Sequence, residues 1–100
     1  MDITKDIKLC NKIIEQYKNL ASEDGAGAFE LSKISLSMYD RLNEIRVNID
    51  KITLAENEKK TKSDLKEYIR GKMKVMDYIH ISSRGIFNQC MNDSKKFKRV

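Results

Sequence analysis

Apolar residues return at intervals of three, four and seven along most of this chain, the period of a helix with one buried side. At about 100° per residue, Ile3, Ile7, Cys10, Ile14, Tyr17 and Ala21 share a narrow arc that Ile13 and Leu20 widen. The spacing predicts a first helix over residues 3–21, with Asp2 accepting unpaired N–H groups at its start. Residues 22–28, Ser-Glu-Asp-Gly-Ala-Gly-Ala, read as a flexible turn.

A second helix is expected over residues 28–58, where Leu31, Ile34, Met38, Leu42, Ile45, Ile49 and Ile52 form a seam of coiled-coil period. Away from that seam, Phe29, Leu36, Val47 and Leu54 form a second, thinner apolar line. Two lines require two coverings: the first and third helices cover one each, or the second line is a contact between subunits or with a partner protein. The polar stretch at residues 57–64 predicts a turn, with Thr61 and Asp64 as a capping-box-like start, although one continuous helix is the alternative.

The third helix is expected over residues 63–91. Leu65, Tyr68, Ile69, Met73, Val75, Met76, Ile79, Ile86, Phe87, Cys90 and Met91 give it a wide apolar arc suited to a core. Gly71 and Gly85 each cost a helix interior about 1 kcal/mol relative to Ala, so close helix approach or a bend is expected there; neutral exposed sites are the alternative. With no Pro and four Gly among 100 residues, 40% apolar and 35% charged, little interrupts helix. The fold class is therefore all-α: an antiparallel bundle of about three long helices in one domain, or a helical hairpin that completes its core by forming a homo-oligomer.

Charge changes the picture. Residues 51–100 hold 13 Lys and Arg against 6 Asp and Glu, whereas residues 1–50 hold 7 against 9. Beside the apolar arc of the third helix lie Lys66, Arg70, Lys74 and Arg84. Lys59 extends the line backwards, Lys95, Lys96 and Arg99 extend it into a basic tail at residues 95–100, and Asp77 interrupts it. A solvated face explains such a line, and so does a surface for single-stranded DNA or RNA; the excess of bases over acids favours the second.

Reactive chemistry is nearly absent from the sequence. His80 is the sole histidine and falls beside Met73 and Met76, the place of a partly buried imidazole rather than a metal ligand. Ser82 and Ser83, two and three residues on in a helix, project in directions that do not form a nucleophile, base and orienting acid with it. Gly25, Ala26 and Gly27 lack the Lys and Ser/Thr of a phosphate loop. Glu56 with Glu58, and Asp64 with Glu67, read as surface charges or caps. No catalytic residue, metal or cofactor is expected. Cys10 and Cys90, without CxxC spacing or a secretory signal, fit a reducing cytoplasm. No apolar run is long enough to span a bilayer, and a membrane-surface helix would surrender the main core.

Two blocks carry a resemblance. From Leu31 to Met73, Met38-Tyr39, Glu56, Lys59-Lys60 and Tyr68-Ile69-Arg70-Gly71-Lys72-Met73 resemble the helical first half of small phage recombination-mediator proteins of the T4 type. Ser83-Arg84-Gly85 and Lys95-Lys96-Phe97 are similar to that family's closing segment. The family has a longer segment between the two blocks, and nothing before Ala28 aligns with it. Such proteins bind single-stranded DNA, form rings and load a recombinase, which would imply Arg70, Arg84, Lys95 and Lys96 as DNA-facing. The resulting expectation is a non-enzymatic module that contacts single-stranded nucleic acid, with a structural, assembly or adaptor subunit as the alternative.

Overall fold

The structure, a computed structural model, describes the backbone of residues 3–51 and 58–98, and side chains as far as residue 93. Within these limits the chain is an all-α bundle of three helices: α1 (Thr4–Lys18), α2 (Gly25–Asp50) and α3 (Lys59–Lys98). No strand occurs among the described residues. No helix among them is long and apolar enough to cross a membrane.

Helices α2 and α3 run antiparallel, as three cross-contacts show. Asp50 pairs with Lys66, Ser32 meets His80, and Gly25 lies against Cys90. Their seam has two halves. Towards the end marked by Asp50 and Lys66, Leu42, Ile45 and Ile49 pack against Ile69, Met73 and Met76, all buried. Burying each such side chain contributes about 1.5–3 kcal/mol before entropy is counted. Towards the other end the seam narrows to small side chains: Ala28, Ser32 and Ser35 of α2 and Ser83 of α3 are all at most 1% exposed. Ser35 Oγ donates to the Leu31 carbonyl at 2.7 Å, whereas Ser83 Oγ meets no hydrogen-bond partner among the described residues. That hydroxyl costs the fold stability.

Helix α1 lies along one side of this hairpin and buries little beyond Cys10 and Ile13. It is pinned by the Asp6 carboxylate, which accepts from Arg41 Nε at 3.3 Å, and by Tyr17 packed edge-on against Tyr78. Burial pushes the Cys10 thiol above its usual pKa. Ala21, expected on the buried arc, is exposed because α1 ends at Lys18.

Several boundaries and assignments differ from those the sequence predicts. Residues 25–28 are helical rather than a turn. Asp24 accepts the Gly27 N–H at 2.8 Å and caps α2 three residues earlier than the periodicity indicates. Both glycines there answer to contacts: a Cβ on Gly25 would lie 2.9 Å from Cys90 Cβ, and one on Gly27 would run into the Asp24 carboxylate. Thr61 and Asp64 are not a cap but interior residues of α3, which starts at Lys59. Asp2, Ile52, Leu54 and Glu56 lie outside the described residues. Ile34 is 46% exposed in an open groove beside α1, and Tyr68, Val75 and Met91 are likewise exposed. Neither Gly71 nor Gly85 marks close packing: a Cβ at either would meet nothing within 4 Å.

These two kinds of glycine respond oppositely to substitution. Gly71→Ala with Gly85→Ala raises stability by about 1 kcal/mol per site through helix propensity. Gly25→Ala lowers it by about 1–3 kcal/mol through overpacking against Cys90. Urea denaturation followed by circular dichroism measures both.

Candidate nucleic-acid interface

The two sides of the α2–α3 hairpin differ. Ile34 and Arg41, one heptad apart on α2, face α1: Arg41 holds Asp6, and Ile34 lines a shallow apolar groove with Leu9, Ile13 and Met38. Tyr39 and Arg46, also one heptad apart, face the other way. There they meet Arg70, Met73, Lys74 and Asp77 of α3 around an open groove of about 290 Å³ that no α1 residue lines.

Three cations and one carboxylate line this groove. Arg46 Nη2 donates to Asn43 Oδ1 at 3.0 Å, and its other terminal nitrogen lies 3.9 Å from Asp50. Arg70 has Glu67 at 3.8 Å as its ion-pair partner on an exposed turn, a pair worth little in water. Lys74 has no ion-pair partner among the described residues. Donors on all three side chains therefore remain for an anion, and Arg can present a fork of two N–H groups to phosphate oxygens. Tyr39 is half-buried against the core and supplies an aromatic wall.

The structure separates the basic residues that share one line in the sequence. Arg70 and Lys74 enter the groove. Lys66 does not stand open beside them: it is committed to Asp50, whose backbone carbonyl also accepts from Lys62 Nζ at 3.2 Å. Hydrogen bonding from Lys66 holds the Asp50 carboxyl below its usual 3.8. Arg84 lies farther along α3, its guanidinium carbon 5.7 Å from the ring centres of both Phe29 and Phe87. Lys59 is exposed at the start of α3. The side chains of Lys95 and Lys96, and all of Arg99, lie outside the described residues.

Arg46 is inconspicuous in the sequence because it lies in the net-acidic half, away from the basic line of the third helix. Its heptad spacing from Tyr39 is the available signal. Of the second apolar line, Phe29 packs within the chain on Phe87, with ring centres 4.8 Å apart, while Leu36 and Val47 are 43% and 37% exposed.

His80 is half-buried, and its Nδ1 lies 3.0 Å from both Oγ and the carbonyl oxygen of Ser32. A carbonyl only accepts, so the ring carries its hydrogen on Nδ1, and Ser32 Oγ donates to the His80 carbonyl at 3.3 Å. The arrangement ties α2 to α3 and buries the hydroxyl away from any substrate. No cluster of three or more His, Cys, Asp or Glu with metal-binding geometry occurs among the described residues. A larger open cleft of about 570 Å³ between α1 and α2 includes Lys12, Glu15, Asp24 and Glu30 in its lining. Three carboxylates to one ammonium suit it poorly to phosphate.

Fold and groove together define the class: a small all-α bundle with a cationic groove between its two longest helices. No family model matches the chain, and no curated protein or solved structure matches it.

The Asp50–Lys66 pair makes a pH-dependent contribution. Because the folded-state pKa is depressed, the pair's stabilisation is present above pH 3.8 and is lost as pH falls through the lowered value. Asp50→Asn should therefore reduce stability at neutral pH, with the difference from wild type shrinking below pH 3.8. Denaturant titrations across that range check it.

Proposed function

We propose that this chain is a non-enzymatic helical module whose α2–α3 groove holds the phosphate backbone of a single-stranded nucleic acid. The observation that carries the reading is the convergence of Arg46, Arg70 and Lys74, from two helices, on one groove with a single carboxylate, Asp77. Guanidinium and ammonium groups neutralise phosphates and release counterions, which is the main source of sequence-independent affinity. The 13 bases against 6 acids in residues 51–100 add a longer-range attraction. The likeness of Tyr68–Met73 and Ser83–Gly85 to phage recombination mediators points in the same direction and suggests a recombination accessory role.

Fluorescence anisotropy with a labelled single-stranded oligonucleotide at several salt concentrations tests this. Wild type should bind at low salt and weaken steeply as salt rises. The triple variant Arg46→Glu, Arg70→Glu, Lys74→Glu should bind more weakly, with a log–log salt slope smaller by about 2, from roughly 0.7 per phosphate contact on a single strand. Absence of wild-type binding at low salt would sink the proposal.

A second reading rests on Leu36 and Val47, two large apolar side chains left 43% and 37% exposed. We infer that this strip is where a second copy or a partner helix packs, giving an assembly or adaptor subunit. Light scattering should then show an oligomer that Leu36→Lys with Val47→Lys dissociates. A wild-type monomer at all concentrations removes the self-assembly form of this reading.

A further inference from the structure

Phe29 and Phe87 form a ring contact between α2 and α3, yet they stand apart from the buried core. Their centres are 4.8 Å apart with planes at 40°, and both rings are half-buried. Neither belongs to the core cluster or to the partly buried apolar residues packed against it. The physical reason lies in the seam at this level. Gly25 against Cys90, with fully enclosed Ala28 and Ser83, brings the helices too close to admit a ring between them.

The rings are therefore held at the edge of the seam, where cations surround them. Arg84 lies 5.7 Å from both ring centres, and Lys33 lies 5.1 Å from Phe29. Lys33 keeps Glu30 at 3.7 Å, an exposed pair, and no acid faces Arg84 among the described ion pairs. Arg70 and Arg84 lie two heptads apart on the same side of α3, so the aromatic pair and the groove share one face. About ten residues of helix separate Lys74 from Arg84, or roughly 15 Å.

We propose that Phe29, Phe87 and Arg84 form a base-stacking station at one end of the groove, so that the strand is gripped by its phosphates at Arg46, Arg70 and Lys74 and by a base at the aromatic pair. This rests on the phosphate-groove reading and deepens it by naming what distinguishes the ligand: unpaired bases. Arg guanidinium planes and aromatic rings both accept a nucleobase face, and such stacking tolerates any base because every base has a π-surface. A duplex keeps its bases stacked on each other and could offer this station only its backbone.

The experiment compares a thymidine oligonucleotide with an abasic deoxyribose-phosphate strand of equal length. The chain contains no Trp, so Phe87→Trp supplies a single fluorescent reporter. The oligonucleotide should bind wild type roughly 5- to 150-fold more tightly than the abasic strand, the range for stacking one base. It should also quench the indole emission of the Phe87→Trp variant, which the abasic strand should leave unchanged. Phe29→Leu with Phe87→Leu, verified as folded by its circular dichroism melt, should bind the two strands equally with the salt slope of wild type. Equal wild-type affinity for both strands, or an unquenched reporter, overturns the stacking station and leaves the phosphate groove standing. Failure of wild type to bind either strand at low salt overturns both.

Discussion

The close approach of α2 and α3 is the constraint on which the rest of this molecule depends. At one end of the seam Ala28, Ser32, Ser35 and Ser83 are enclosed, and the Gly25–Cys90 contact leaves no space for a methyl group. Small side chains let two backbones come near but supply little apolar area of their own. The larger residues at the other end, Leu42, Ile45 and Ile49 against Ile69, Met73 and Met76, contribute most of the burial. Small residues set the distance and large ones the energy, and the two together leave α2 and α3 a single register.

Register then determines electrostatics. With Ser32 opposite His80 and Asp50 opposite Lys66, Arg46 must come level with Arg70 and Lys74. A slide of one helical turn would leave Asp50 without Lys66 and disperse the three cations. Assembling like charges in one groove opposes folding, and Asp50, Glu67 and Asp77 moderate the repulsion without filling the groove. The short α1 matters here by what it leaves uncovered: it packs on the Ile34–Arg41 side and keeps the Tyr39–Arg46 side open to water.

Much of the fold is legible in the sequence because it rests on local periodicity. Leu31, Met38, Leu42, Ile45 and Ile49, and likewise Ile69, Met73, Met76 and Ile79, announce their buried sides through spacing alone. The start of α2 is illegible for a definite reason. Gly-Ala-Gly-Ala has the local propensity of a turn, but Gly25 is there for Cys90, sixty-five residues away, and no window on the sequence contains that contact. The same limit blurs the site. Lys66 and Arg70 are neighbours on one helix face, yet Asp50 takes the first and the groove takes the second, a distinction made only by the antiparallel pairing. Arg46 is hidden by its acidic surroundings, and Phe29 reads as an outward residue because it lies off the seam of its own helix, while its partner Phe87 is fifty-eight residues away.

The two sides of α2 also differ in the sign of their charge. The cleft on the α1 side gathers Glu15, Asp24 and Glu30 around Lys12, while the opposite groove gathers Arg46, Arg70 and Lys74 around Asp77. A rod with extents of 68 × 19 × 15 Å is thin enough that both fields reach solvent within about one Debye length, near 8 Å at physiological salt. Under the phosphate-groove proposal, the charge difference directs a polyanion to the Arg46 side rather than to the carboxylate-rich cleft. Under the stacking proposal, the Phe29–Phe87 pair lies where that strand continues along α3, and the apolar surface that the narrow seam could not enclose becomes surface for a base.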